Sequence, residues 1–381
     1  MRPLKVVVVG GGVAALEVCL GLQALAGDRV ELVMVAPEPA FEFKPAAVGE
    51  PFGVSAVRRF DLAEVARGLG AELHRGTASA VEVDQGRLLV DGWRPVSYDA
   101  LVLAAGAIPI GAVPGAITFA GPKDVPVVKA LIAELATSGA TRLVVAIPDT
   151  AWTLPAYELA LLAGAHLRTA SGDPAQIAIV TPERSPLWAF GAVASADVRR
   201  LLMEREIAFH GLRTPVEVHG GVLRTSPGGS VRADRVVALP RLRGVRIDGL
   251  PVNSDGFLRT DTYGRVADLP DVYAAGDMTD FPVKQGGIAT QQADVVAEMI
   301  AADAGAPVTP RPFRPHLRGL LLTGDGERFL SADIAGGPGG ASEADSEPGW
   351  WPPVKIPGRF LGPYLAGVAA DERLQSETSQ R

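Results

Sequence analysis

The chain has 381 residues, 36 Lys+Arg against 43 Asp+Glu, and a net charge of −7. It is too long for one compact core, so two or three domains are expected, and its acidic balance with no Lys/Arg stripe argues against nucleic acid as a partner. Cys19 is the only cysteine, which excludes an intramolecular disulfide or a dithiol redox centre, and the five scattered histidines offer no zinc spacing, so no metal site is expected.

The 44 glycines and 31 prolines fall between apolar segments and read as tight turns rather than disorder. No apolar run reaches the roughly 18 to 20 residues that a bilayer span needs. The N-terminus enters a strand directly, with no signal peptide, so a cytoplasmic location is expected.

Leu4 to Val9 is a continuous apolar run, as in a strand buried on both faces of a parallel sheet. Gly10, Gly11 and Gly12 break it, Val13 to Leu25 has helical spacing, and Arg29 to Val35 is a second apolar strand. The motif Gly10-x-Gly12-x-x-Ala15 therefore sits between a strand and a helix. Its first glycine permits the turn, its second admits a pyrophosphate to the backbone, and Ala15 lets helix and strand pack closely. Gly10, Gly12, Val13, Ala14 and Ala15 are expected to hold a dinucleotide at the helix N-terminus. Cys19 lies on the sheet-facing side of that helix and reads as packing. Where an acid for the adenosine ribose is expected, the chain has Ala36, Pro37 and Glu38; Glu38 is either that acid or a solvated loop residue.

Tyr98 to Ala105 reads as a strand ending in AAGAIP, with Ala105 and Gly106 at its end. The strand–turn–helix–strand unit then starts again at Arg142, with a helix from Pro155 to Leu167 and a strand from Ile177 to Val180, which suggests an internal duplication. Further on, Val272 to Ala275 delivers Gly276 and Asp277 at the carboxyl end of a strand, where open α/β sheets bind ligands. A helix follows around Ala289 to Ala302. The expected domains are 1–122 with 252–310, then 123–251, then a C-terminal capping or interface region, 311–381. Within it, 335–349 reads as an exposed flexible connector and the last ten residues as frayed.

The three motifs, in this order, resemble the signature of flavoproteins related to glutathione reductase. PEPAFEFKP (37–45), LPAYE (154–158) and FPVKQGGIATQQA (281–293) resemble most the branch of sulfide:quinone reductases and type II NADH dehydrogenases. The resemblance implies an α/β fold of two Rossmann-like dinucleotide-binding domains of three ββα layers, the first discontinuous. It implies bound FAD, with Asp277 on the ribityl chain and Lys44 and Pro45 approaching the flavin. Gly287 and Ile288 would start a helix under the pyrimidine edge, where about half a positive charge stabilises reduced flavin; Lys284 would add a full one. Glu158 is either a proton relay near the flavin or quinone pocket or a macrodipole-favoured helix residue, with Trp152 and Tyr157 as pocket walls.

Two departures qualify the resemblance. The missing second cysteine excludes persulfide chemistry. The loop Pro148 to Pro155 has no glycine, two prolines, Asp149 and Trp152, all unfavourable to a nicotinamide pyrophosphate. The expected function is an FAD-dependent oxidoreductase passing electrons from an unidentified small-molecule donor to a quinone or another acceptor. The alternatives are an NAD(P)H-dependent reductase with an atypical nicotinamide site and a non-catalytic flavin-binding protein. Residues 350–368, with Trp350, Trp351, Phe360 and Tyr364 among Lys355 and Arg359, read as a peripheral membrane contact, a cap over the flavin domain or a homodimer contact.

Overall fold

The structure, a computed structural model, describes residues 2–137, 142–149, 152–171, 175–334 and 341–368. Strand Leu4–Val9 is central to a parallel sheet whose order is Val272–Ala274, Ala100–Leu103, Leu4–Val9, Val30–Val35 and Glu72–His74. Successive side chains in a strand point to opposite faces, and here both faces are covered. Val6 and Val8 face the helices Val13–Ala26 and Gly286–Asp303, while Val7 and Val9 face a three-stranded sheet built from Ala78–Glu82, Arg87–Val90 and Val96–Ser97. This is the expected ββα layering, and it explains why the strands read as unbroken apolar runs. The two helices lie close together because Gly21 has no side chain: a Cβ there would stand 2.9 Å from the Cβ of Ala297.

A second parallel sheet has the order Ile117–Thr118, Arg235–Ala238, Arg142–Ala146, Gln176–Val180, Ala208–His210. Ile117–Thr118 belongs to this sheet although it precedes residue 122. Its helix side buries Leu143, Val145, Ile177 and Ile179 against Val125–Thr137, Leu154–Ser171 and Gly191–Glu204, and its other side packs on a small antiparallel meander through Leu223.

The C-terminal region is not an open connector. Strands His316–Leu322, Glu327–Asp333 and Ser342–Asp345 form an antiparallel sheet, its core residues Leu320, Leu321 and Leu330 packed into the helical layer of the second fold. Residues 342–345, expected in the flexible connector, pair instead with Phe329–Ala332, and the Ser342 hydroxyl donates to the Phe190 carbonyl. Residues 335–340 and the expected frayed end lie outside the described residues.

The chain then crosses back to the first fold as a strap. Glu17, fully buried on helix Val13–Ala26, accepts backbone N–H groups of Phe360 (2.9 Å) and Leu361 (2.7 Å), and Arg359 pairs with Glu298 at 2.8 Å. Leu361 and Leu365 complete the core of that fold. The basic residues of 350–368 pair internally, Lys355 with Glu158 and Arg359 with Glu298, while Trp351 is exposed at 87%. The segment therefore packs back on the first fold. Among the described residues no helix is long and apolar enough to cross a membrane.

One group under the strap carries an electrostatic cost. Asp294 shares a hydrogen bond with Glu17, and burial together with that neighbour pushes its carboxyl up to about 9. A carboxyl pKa raised in the fold withdraws stability as pH climbs from the unfolded value through 9. Asp294→Asn keeps the shape and removes the charge. Its melting temperature is expected to exceed that of the parent by several degrees at pH 8 and by much less at pH 5, as measured by calorimetry.

Candidate active site

The glycine turn after the first strand is shaped by contact with the neighbouring strand. Gly10 has φ +131°, and a Cβ there would lie 2.2 Å from the carbonyl oxygen of Ala104. Gly12, which starts helix Val13–Ala26, faces open space: a Cβ placed there would meet nothing within 4 Å. The same holds for Gly106, at φ +75°. Those two openings border the same crevice at the carboxyl ends of the strands, as a pyrophosphate cradle requires. Ala15 is fully buried, as its packing role demands, and Cys19 is fully buried with its thiol pushed up to about 12. Cys19 is thus an inert packing residue.

The third motif closes on the first. Gly276 has φ +74°, and a Cβ there would come within 3.0 Å of Ala14 and 3.4 Å of Ala289. Its N–H donates to Gln292 Oε1 (2.8 Å), whose Nε2 in turn donates to Thr279 Oγ1 at 3.3 Å. This holds the turn that carries Asp277. Burial raises the Asp277 carboxyl above its usual range, Lys284 and Lys44 oppose the rise, and no protein group among the described residues donates a hydrogen bond to it. A carboxylate so placed, with acceptors unused, fits the ribityl hydroxyls of FAD.

Helix Gly286–Asp303 begins beside Asp277. Gln285 caps it, accepting from Ile288 N–H at 2.9 Å, and is itself anchored to the Arg318 carbonyl. Gln285 and Gly286 line a cavity of about 260 Å³. Lys284 also lines it; its ammonium donates to the Thr279 carbonyl and lies 3.9 Å over the Phe257 ring. Burial lowers its pKa to about 8, against the attraction of Asp277 and Asp280.

The same cavity has Val48, Phe119, Trp152, Leu239, Leu242 and Ile356 as apolar walls, with Lys44, Pro45, Glu158 and Lys355 completing it. Glu158 is buried; its Oε1 accepts from Leu322 N–H at 3.0 Å and from Lys355 Nζ at 2.5 Å. Burial raises its pKa, and the Lys355 ammonium pulls the other way.

Not every expected residue reaches the cavity. Tyr157, read from sequence as a wall, is fully buried and turned into the second fold, where its hydroxyl donates to Glu183 at 2.6 Å. On the helix Leu154–Ser171, adjacent residues point some 100° apart, so Tyr157 and Glu158 cannot face the same space. Glu38 is exposed in its loop. Thr150 and Ala151, within the glycine-free loop, lie outside the described residues, whereas Trp152 packs at 5.8 Å on Phe190 and lines the cavity. The sequence gives no sign of the parts played by Lys355, Gln292 and Gln285. Lys355 reads there as one of the tail's basic residues, and only the strap's path brings it to the cavity.

A parallel-sheet fold with a glycine cradle, an unfilled aspartate and a helix N-terminus at one crevice defines a flavin-dependent oxidoreductase of the two-dinucleotide-fold class, with FAD as its cofactor. The chain belongs to the pyridine nucleotide-disulphide oxidoreductase family, whose sequence model matches residues 4–294. It is 28% identical over 300 residues, 72% of each chain, to a NADH dehydrogenase-like protein of Mycobacterium tuberculosis. It is similar in structure to the sulfide:quinone oxidoreductase of Aquifex aeolicus, with a TM-score of 0.79 and 19% identity over 90% of this chain and 87% of that one. It is also similar to a ferredoxin reductase of Rhodopseudomonas palustris, with a TM-score of 0.63 and 18% identity over 87% and 83%.

Two measurements test the assignments. Gly12→Val places a branched side chain in the cradle, and the purified variant is expected to lack flavin absorbance while melting as a folded protein. Lys284→Ala removes a charge beside the crevice, so spectroelectrochemistry is expected to show a lower flavin midpoint potential. The gap between variant and parent should narrow above pH 8, where the parent lysine itself loses its proton.

Proposed function

We propose that the electron pair carried by FAD leaves to an apolar carbonyl acceptor of the quinone class, seated in the cavity between Trp152, Leu242 and Ile356. The pair Glu158–Lys355 carries this reading. FAD supplies the electron pair when bound, and a carbonyl acceptor that takes it must also take protons at its oxygens. Burial favours the protonated form of Glu158, which makes it a proton donor, and Lys355 limits the rise so that the proton can leave. The apolar walls exclude water and suit a ring, and Lys284 with the start of helix Gly286–Asp303 sets positive potential at the crevice.

Nicotinamide as donor is disfavoured by a second observation. In a dinucleotide fold, an acid beyond the second strand holds the ribose. The acid beyond strand Gln176–Val180 is Glu183, and it already accepts from Tyr157 hydroxyl at 2.6 Å and from Thr153 and Thr181 hydroxyls at 3.2 Å. Burial raises its carboxyl while those hydrogen bonds pull it down, and with three hydroxyls already bound it is not free for a ribose. The missing glycines point the same way.

Anaerobically reduced protein is expected to be reoxidised by a short-chain quinone with saturation kinetics. Glu158→Gln should slow that step by roughly 10²–10⁴-fold, the usual contribution of a general acid, without changing flavin content. Fast, saturable flavin reduction at micromolar NADH or NADPH would overturn the reading of the second fold.

A further inference from the structure

Both passages of the chain between the two large sheets run through one antiparallel ribbon, Ala107–Ile110 paired with Arg241–Gly244. Its register sets Ile108 opposite Arg243 and Ile110 opposite Arg241. Directly opposed residues of such a pair share a face, and neighbours along a strand alternate. One face therefore presents Ile108, Ile110, Arg241 and Arg243 together. All four are exposed, the isoleucines at 41% and 37%. Arg246, also exposed, follows just beyond the ribbon.

Two features set this face apart. Arg241, Arg243 and Arg246 make no ion pair or side-chain hydrogen bond among the described residues, whereas Arg235, just before the ribbon, pairs with Glu134. Two uncommitted guanidinium groups beside two bare isoleucines, with Arg246 just beyond, stand on a chain whose net charge is −7. The opposite face of the ribbon carries Leu242, which lines the redox cavity. Whatever docks outside is thus separated from the cavity by about one strand layer, on the order of 10 Å.

We propose that this ribbon face docks an acidic one-electron carrier protein, which is the electron donor; this rests on the reading that the cavity itself receives the acceptor. The charge pattern orients such a partner, because the chain's net negative charge repels it while the ribbon's arginines attract it. The small size of the face suits a transient electron-transfer contact, the class with the least buried area. The single cysteine removes a dithiol route and the engaged Glu183 disfavours a nicotinamide route, and a carrier docking on the outer face is compatible with both. The net reaction balances: two carriers each lose one electron, and the quinone takes two electrons and two protons from solvent by way of the cavity.

The test uses the FAD-loaded protein and a reduced acidic [2Fe–2S] ferredoxin as probe, with flavin reduction followed anaerobically in a stopped-flow cell. The second-order rate constant is expected to fall steeply with salt and to drop at least tenfold in R241E/R243E, while R241K/R243K stays near the parent. Fluorescence anisotropy of labelled ferredoxin should show the same order of affinities. Reduction by dithionite and reoxidation by quinone should be equal in all three proteins. The proposal is overturned if ferredoxin does not reduce the flavin, or if charge reversal leaves the rate unchanged. It is also overturned if reversal abolishes binding to phosphatidylglycerol vesicles and leaves ferredoxin reduction intact, for the face then meets lipid. Failure of quinone reoxidation in the parent protein, with the ferredoxin effects intact, removes the acceptor reading and leaves the docking face standing.

Discussion

The site depends on backbone segments approaching closer than any side chain permits. Gly10 lies against the Ala104 carbonyl, and Gly276 lies against Ala14 and Ala289. These contacts bring the turn after Leu4–Val9 and the ends of strands Ala100–Leu103 and Val272–Ala274 to a common crevice. The groups assigned to the flavin are carried on those segments: Asp277 on the turn after Gly276, the cradle after Gly10, and Lys284 just before helix Gly286–Asp303. A methyl group at Gly10 would force the turn away from its neighbour and displace the elements in register with it.

The parallel sheet was legible because its strands are covered on both sides. Val6 to Val9 can be read as a buried strand without knowing what covers it. The glycines of the three motifs were legible for a related reason: their positions are set by local backbone geometry, as at Gly10 and Gly276. Side chains whose role depends on distant packing were not legible. Tyr157 lies inside the motif LPAYE and yet turns into the second fold, because helical rotation separates it from Glu158. Lys355 belongs to an aromatic, Pro-rich stretch that suggested a lipid surface. Its partner, Glu158, is 197 residues away in sequence, and no local pattern encodes that pairing.

The two halves of the molecule treat the same architecture differently. In the first fold the crevice residues are left unsatisfied by protein, as in Asp277 and the open faces of Gly12 and Gly106. In the second, the corresponding acid is satisfied by Tyr157, Thr153 and Thr181, and Trp152 packs where a glycine turn would admit a ligand. Trp152, Leu154 and Glu158 of the second fold line the cavity.

The strap that ends the chain has a consequence for the order in which the protein is made. Lys355 and Ile356 complete the cavity, and they are held there by contacts of Phe360 and Leu361 with Glu17, near the other terminus. Every strand of both parallel sheets precedes residue 275, and Asp277, Lys284 and the start of helix Gly286–Asp303 follow soon after, all of them made before the strap. The pairing of Lys355 with Glu158 therefore forms only once residues 355–361 exist, and a chain cut before them lacks both that wall of the cavity and the two N–H groups that Glu17 accepts.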